Sequence, residues 1–193
     1  NLCEKYFEIR PMVVGETEVD LGITIDIDDP KEVGADRVVN AVAALDRYSG
    51  SLIVVDFGTA TTFDVVDADG TYRGGVIAPG INLSLEALYN AAARLPRISI
   101  SETKTSEPST KISKVIGKST KAAMHSGIFW GYIGLIEGIV TRIKHEFARP
   151  MTVIGTGGLA NIFYDATDSI DHIDEDITNA GLVLIYKRNL PWK

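Results

Sequence analysis

The sequence has little of what many protein classes depend on. Its single cysteine, Cys3, excludes an internal disulfide framework and a cysteine-rich zinc site. No apolar run reaches the roughly 18 residues of a membrane span, and the first residues lack the basic and apolar stretches of a signal peptide. We therefore predict a cytoplasmic protein without a membrane partner. The P-loop pattern GxxxxGKS/T and the Rossmann pattern GxGxxG are absent as well.

Positive charge is not in excess either. The net charge is −7, and residues 1–36 carry all of it, with ten acidic side chains against three basic ones. Residues 37–193 hold sixteen of each. A general nucleic-acid-binding protein would carry a basic stripe, so nucleic acid is not expected as a partner. Phosphorylated small molecules remain compatible with this charge, because backbone N–H groups bind phosphates without net positive charge.

Apolar periodicity predicts an α/β fold in which strands alternate with helices. The dipeptide Asp69-Gly70 predicts a hairpin turn, and Asn82 and Ser119 are candidate helix N-caps. Glycine recurs every three or four residues in the helix predicted at 119–147, which indicates close packing on another backbone. The predicted strands are 6–14, 22–27, 52–55, 63–67, 71–78 and 151–154, and the predicted helices are 31–48, 82–95, 119–147 and 176–188.

The most informative segment, Asp56-Phe57-Gly58-Thr59-Ala60-Thr61-Thr62, directly follows a buried-type strand. Glycine at such a turn lets backbone N–H groups approach an anion, and the three threonine hydroxyls add donors. The carboxylate can hold a cation that offsets phosphate charge. Alternatively, these side chains only satisfy turn amides. The hairpin that continues from the segment favours the first interpretation, because strand–DxGT–strand is the phosphate clamp of actin-like ATPases.

Two further segments carry candidate site residues. Asp36 and Arg37 open a helix after Gly34, where Asp36 is a candidate base for a hydroxyl and Arg37 a candidate clamp for a substrate carboxylate. The alternative is that Asp36 complements the helix dipole and Arg37 pairs with a carboxylate of the protein. The glycine-rich turn 155–158 lets a nucleotide base or ribose lie against the backbone. The three histidines are too widely spaced for a zinc motif.

Together these segments resemble the type III pantothenate kinases, a family of the acetate and sugar kinase, Hsp70 and actin superfamily. Their order and spacing make the resemblance specific, and it runs through nearly the whole chain. The matching segments are Gly34–Arg37, Asp56–Thr62, Gly74–Gly80, Leu95–Arg97, Ser119–Gly127, Thr156–Gly158 and Ala180–Leu182.

The resemblance implies transfer of a phosphoryl group from ATP to pantothenate, giving 4'-phosphopantothenate, the first step of coenzyme A biosynthesis. Mg²⁺ would bridge the phosphates. It further implies that Asp36 accepts the proton of the pantothenate hydroxyl, that Asp56 holds a monovalent cation (K⁺ or NH₄⁺), and that the protein is a homodimer. The pantothenate-binding positions would be Gly34, Ala35, Asp36, Arg37 and Thr120, and the ATP-binding positions Gly58, Thr59, Thr156, Gly157 and Gly158.

The fold expected from this resemblance is α/β, an actin-like ATPase fold with two ribonuclease-H-like lobes, the first incomplete in this chain. Residues 1–50 would be the C-terminal part of the first lobe, and residues 51–193 the second. The family's N-terminal DxGNT phosphate motif is absent, so we expect this chain alone to be inactive or a poor kinase. Ile27 stands where many relatives carry a tyrosine of the pantothenate pocket, and residues 101–113 exceed the usual loop length.

Two other functions are compatible with these motifs. One is a non-catalytic regulatory protein that retains the kinase fold, and the other is a kinase of the same superfamily that acts on a different small alcohol. The presence of both Asp36 and Asp56 favours an enzyme.

Overall fold

The computed structural model describes residues 2–91, 95–96 and 114–191. Arg97 and the segment 101–113, both singled out from the sequence, lie outside the described residues. A short 3-10 turn, Pro30–Glu32, precedes the second helix. The elements in chain order are α1 (Leu2–Phe7), β1 (Thr24–Ile25), α2 (Ala35–Arg47), β2 (Ser51–Phe57), β3 (Ala60–Val66), β4 (Thr71–Pro79), α3 (Ile81–Ala91), α4 (Thr120–Phe147), β5 (Met151–Thr156), α5 (Ala160–Tyr164), β6 (His172–Ile173) and α6 (Ile177–Arg188).

The strands form one mixed sheet in the order β1-β4-β3-β2-β5-β6. Strands β2, β3 and β4 are antiparallel neighbours, whereas β5 runs parallel to β2, and β6 parallel to β5. The predicted hairpin turn joins β3 to β4, with Gly70 at a φ of 84°. Because β2 and β5 are adjacent and parallel, their carboxyl ends meet, and Asp56 lies beside Thr156.

Strand β2 is buried on both faces, as its uninterrupted apolar run predicts. Ile53 and Val55 face a core shared with α3, α4 and α5, and Leu52 and Val54 face a core shared with α2 and α6. Each of these side chains is fully buried, which contributes roughly 1.5–3 kcal/mol apiece to stability. The fold therefore has three layers, with the sheet between two groups of helices.

Helices α2 and α6 lie directly against each other. A Cβ added at Gly181 of α6 would overlap the carbonyl oxygen of Val39 in α2, so only glycine fits there. Asp36 lies in the first turn of α2, and Asn40, one turn further on, is buried. This contact fixes the start of α2 relative to α6.

Two sequence predictions about elements are wrong. Residues 6–14, predicted as a strand, contain the end of α1 followed by irregular chain. Ile9 and Val13 of this segment stay 58% and 45% exposed, because no sheet face covers them. Asn82 does not cap α3: the helix begins one residue earlier, and the backbone N–H of Ser84 donates to the carbonyl of Gly80 at 2.9 Å.

Helix α4 confirms one prediction and departs from another. Ser119 is its N-cap and accepts a hydrogen bond from the backbone N–H of Ala122 at 3.2 Å. The glycine stripe does not pack on a second backbone within the described residues, because a Cβ added at Gly127, Gly131 or Gly134 would meet no atom within 4 Å. The stripe faces outward instead.

Candidate active site

Asp56 stands at the carboxyl end of β2 and is half-buried. Its Oδ2 accepts a hydrogen bond from Nδ2 of Asn40 at 3.2 Å, the one hydrogen bond to this carboxylate within the described part of the chain. Burial raises the pKa of Asp56, and the nearby carboxylates of Asp36 and Asp64 raise it further, while the bond from Asn40 lowers it. A positive partner would stabilise the ionised form of such a carboxylate.

The turn after β5 lies against this carboxylate. Gly157 has a φ of +89°, and a Cβ added to it would lie 2.7 Å from Oδ1 of Asp56 and 2.8 Å from the carbonyl oxygen of Phe57. Both the left-handed φ and this close approach require glycine. The turns that follow β2 and β5, far apart in the sequence, therefore meet around Asp56.

A cleft of about 420 Å³ opens beside the turn between β2 and β3. Three of the predicted ATP-binding residues line it: Gly58 and Thr59 from this turn and Gly158 from the turn after β5. Thr156 is buried at the end of β5, next to Asp56, and is not among the described residues that line the cleft. The full lining is Phe57, Gly58, Thr59, Asn82, Leu83, Glu86, Gly158 and Leu159.

Only one of the three threonines in this segment is free to face a ligand in the cleft. Thr59 is exposed, and its carbonyl accepts a hydrogen bond from the backbone N–H of Gly80 at 3.1 Å. The hydroxyl of Thr61 is buried and bonds to the hydroxyl of Tyr132. The hydroxyl of Thr62 donates to Asp64 at 2.9 Å. Two of the threonine hydroxyls expected to bind phosphate therefore satisfy protein groups instead.

Arg37 is held by a carboxylate of the protein. Its Nε donates to Oδ1 of Asp64 at 2.6 Å, and the hydroxyl of Tyr72 donates to the same oxygen at 2.7 Å. Asp64 is fully buried; burial raises its pKa, and the bonds from Tyr72, Arg37 and Thr62 oppose that rise. The pairing that the sequence left as an alternative is thus present, and the role of Arg37 toward a substrate stays a prediction.

Asp36, the predicted base, is exposed in the first turn of α2. Its Oδ1 accepts a hydrogen bond from the backbone N–H of Arg37 at 2.9 Å and lies 2.5 Å from where a Cβ of Gly34 would be. Gly34 and Ala35 are the residues directly before it, so the predicted pantothenate segment stays together at the start of the helix. Thr120 is exposed in the first turn of α4, and its part in the site stays a prediction.

Comparisons with known proteins identify the family of this chain. The family model for type III pantothenate kinase matches residues 1–142. The type III pantothenate kinase of Rhodospirillum rubrum is 60% identical over 190 residues, covering 98% of this chain and 70% of the relative. This chain belongs to the type III pantothenate kinase family. The activity of this family member is the phosphorylation of pantothenate in coenzyme A biosynthesis, and the non-catalytic alternative is not favoured.

Other relatives of this type III pantothenate kinase extend the match. The Paramagnetospirillum magneticum kinase is 59% identical over 189 residues, covering 98% of this chain and 69% of the relative. A crystal structure from Campylobacter jejuni, assigned to the Baf family of transcriptional activators, superposes with a TM-score of 0.59 at 23% identity. It covers 88% of this chain and 70% of that one, and it shows a shared fold. The α/β class is confirmed by the mixed sheet and its two groups of helices, and the actin-like assignment with its division into lobes at residue 50 stays a prediction.

One oxygen of the Asp56 carboxylate, Oδ1, accepts no hydrogen bond from the described residues. Carboxylate oxygens are among the donors that hard cations take, so this side chain suits a monovalent cation. In the described residues there is no group of three or more His, Cys, Asp or Glu side chains that could hold a metal by itself.

Sequence reasoning did not assign several residues to the candidate site that the structure places in or near it: Asn40, Asp64, Tyr72, Asn82 and Glu86. The sequence could have indicated Asn40 and Asp64 as buried polar residues, because each is a polar side chain within a strongly apolar stretch. A buried polar residue is more informative than an exposed apolar one.

None of the helices in the described ranges is both long and apolar enough to cross a membrane.

Proposed function

We propose that the turns around Asp56 bind ATP and that the start of α2 binds pantothenate, so that the γ-phosphoryl group passes between them. One observation carries the proposal: Gly58, Thr59 and Gly158, three residues that the resemblance assigns to ATP, line a single cleft beside Asp56. These residues come from two turns about 100 positions apart, and the parallel pairing of β2 with β5 accounts for their meeting.

In this proposal the phosphates of ATP lie at the turn of Gly58 and Thr59. Backbone N–H groups and the Thr59 hydroxyl are the donors, which explains how an acidic chain can bind a polyanion. The adenosine end lies toward Gly158, along a wall that Leu83 and Leu159 make partly apolar. Thr156 and Gly157 act from behind this surface, by keeping the turn against Asp56.

Asp56 is the residue that would hold K⁺ or NH₄⁺. The bound cation would supply positive charge near the phosphates, and Mg²⁺ would neutralise further phosphate charge. Burial and two neighbouring carboxylates destabilise the charged form of Asp56, and a bound cation would stabilise that form.

Asp36 is the residue we assign to the pantothenate hydroxyl. It is exposed, so it can reach a substrate, and the backbone N–H of Arg37 fixes one of its oxygens. Its other oxygen would accept the hydroxyl proton as the hydroxyl oxygen bonds to the γ-phosphorus and the bond from that phosphorus to the bridging oxygen breaks, releasing ADP. Arg37 would contribute its Nη groups to the pantothenate carboxylate while Asp64 holds its Nε.

The homodimer and the cytoplasmic location expected from the sequence belong to the same proposal. The outward glycine stripe of α4 is the surface we assign to the second subunit, because helices that carry glycine on one face can approach another backbone closely.

The proposal is tested with ATP, Mg²⁺, K⁺ and pantothenate. The chain is assayed as it is and fused to the part of the Rhodospirillum rubrum relative that it does not cover. We expect 4'-phosphopantothenate from the fusion and little or none from the chain alone. Asp36→Asn should lower the rate of the fusion at least about 100-fold, since general base catalysis contributes about that much.

Asp46→Asn, at the exposed far end of the same helix, is the matched control and should leave the rate unchanged. A folded fusion that phosphorylates another alcohol but not pantothenate, or an Asp36→Asn variant with the original rate, would contradict the assignment.

A further inference from the structure

Two hydrogen bonds link α6 through α2 to the candidate cation site. The hydroxyl of Thr178 donates to Oδ1 of Asn40 at 2.7 Å, and Nδ2 of Asn40 donates to Oδ2 of Asp56 at 3.2 Å. Asn40 is only 1% exposed. A buried amide is costly unless its polar atoms are bonded, and here both ends are.

The order of donors and acceptors along this link is fixed. An ionised carboxylate only accepts hydrogen bonds, so the amide of Asn40 has to present its NH₂ group to Asp56 and its oxygen to α6. A hydroxyl can donate to that oxygen, and the hydroxyl of Thr178 does so. The bond from Thr178 therefore opposes a 180° rotation of the Asn40 amide. Such a rotation would place Oδ1 of Asn40 against Oδ2 of Asp56, where two acceptors would repel each other.

The link also determines which oxygen of Asp56 is left for a ligand. Asn40 occupies Oδ2, whereas no described residue donates to Oδ1. We infer that Asn40 and Thr178 are positioning residues that hold the Asp56 carboxylate by Oδ2 and leave Oδ1 for the proposed cation. This inference rests on the proposed role of Asp56.

Helix α6 is a firm support for this arrangement. Gly181, one turn after Thr178, lies against the carbonyl of Val39, the residue next to Asn40. This close contact sets the distance between the two helices at this point. The same distance allows the short hydrogen bond between Thr178 and Asn40. Thr178 reaches the site only through Asn40, so its effect on the cation is separable from a direct ligand's effect.

The test compares Thr178→Val, which removes the hydroxyl at nearly constant shape, with Thr178→Ser, which keeps it. The first readout is the rise in melting temperature of the chain as K⁺ replaces tetramethylammonium at constant ionic strength, since screening is then unchanged. The second is the K⁺ dependence of the kinase rate of the fusion.

We expect Thr178→Val to raise the K⁺ concentration for half-maximal effect by about three- to tenfold, the usual consequence of losing one hydrogen bond. At saturating K⁺ its kcat should stay within about twofold of the parent, and Thr178→Ser should behave like the parent. If Val proves too disruptive to fold, Thr178→Ala serves as the variant that lacks the hydroxyl.

Three results would overturn the inference. An unchanged K⁺ requirement in Thr178→Val, with only a lower melting temperature, would mean a structural role alone. Equal losses in Val and Ser would mean that volume matters and the hydroxyl does not. A parent protein that K⁺ neither stabilises nor activates would remove the cation role of Asp56 itself, and the inference with it.

Discussion

Asp56 and Asp64 stand on the two strands of one hairpin and have opposite surroundings. Asp64 is fully buried and accepts hydrogen bonds from Arg37, Tyr72 and Thr62. Asp56 is half-buried and, within the described residues, accepts one hydrogen bond, from Asn40. The number of hydrogen bonds that each carboxylate accepts therefore distinguishes an aspartate that stabilises the fold from one that is available to a ligand.

The electrostatics of the two carboxylates follow the same division. Burial raises the pKa of both, but the other neighbours of Asp64 lower its pKa, whereas Asp36 and Asp64 raise the pKa of Asp56 further. A buried ion pair is costly to break because the remaining partner keeps an uncompensated charge. The opposite holds for an isolated, partly buried carboxylate, because removing its charge also removes the free-energy cost of burying that charge.

The largest expected effect comes from Asp64→Ala. The side chain of Arg37, 15% exposed, would keep its charge without its partner, and we expect a loss of about 3–5 kcal/mol in the free energy of unfolding. Urea unfolding followed by circular dichroism measures this loss. Asp46→Ala, at an exposed position, is the control and should change stability by less than about 0.5 kcal/mol. A small effect at Asp64 would remove the distinction between the two aspartates.

Tyr72→Phe is expected to have an intermediate effect. It deletes one donor to Asp64 and leaves the ring in place, so the loss should be about 1.5–3 kcal/mol, as for a hydrogen bond to a charged group. The measurement is again urea unfolding, with Tyr164→Phe, at a tyrosine that is 41% exposed, as the matched control. Equal stability of the two variants would show that the hydroxyl of Tyr72 contributes nothing to holding Asp64.

Asp56→Asn is expected to have the smallest effect on stability, and one of opposite sign. Asparagine can still accept the bond from Asn40 and carries no charge, so we expect a gain of roughly 0.5–2 kcal/mol at pH 7 in the absence of K⁺. For a chain of this size, about 1 kcal/mol corresponds to a rise of about 2–4 °C in Tm. The same substitution should abolish stabilisation by K⁺. A loss of stability would mean that the charge of Asp56 is already compensated.

The gain from Asp56→Asn should depend on pH. Because the folded-state pKa of Asp56 is raised, the parent bears the cost of the charged carboxylate at every pH above that pKa. The cost falls as pH falls through the folded pKa, and it vanishes below the unfolded value of about 3.9. The Tm difference between the two proteins should therefore be largest near neutral pH and close to zero near pH 3. A constant difference would contradict the raised pKa.

Local sequence patterns were enough to predict the elements whose conformation depends only on neighbouring residues. The run 52–55, the Asp69-Gly70 turn and the Ser119 cap each specify their conformation within a few positions. The segment 6–14 was predicted wrongly because a strand needs a neighbour, and the apolar pattern does not say whether a sheet edge is available.

The candidate site divides in the same way. Gly58, Thr59 and Gly158 could be named from motifs, since the chemistry of a phosphate-binding turn is local. The sequence marks Asn40 and Asp64 only as polar residues within apolar stretches, and their roles come from partners in other elements, Thr178 and Arg37 respectively. Which polar residues meet in a core depends on the packing of helices on the sheet, and a single sequence does not reveal that packing.

The contact of Gly181 with the carbonyl of Val39 brings the two helix backbones together at one point of the α2–α6 contact. A larger side chain at 181 would require the backbone at Val39 to move, because a carbonyl oxygen cannot change rotamer as a side chain can. Asp36 and Asn40 lie within one turn of Val39 on the same helix, so such a movement would displace both. A position remote from the cleft thereby influences the alignment of the two residues proposed for the pantothenate hydroxyl and for the cation.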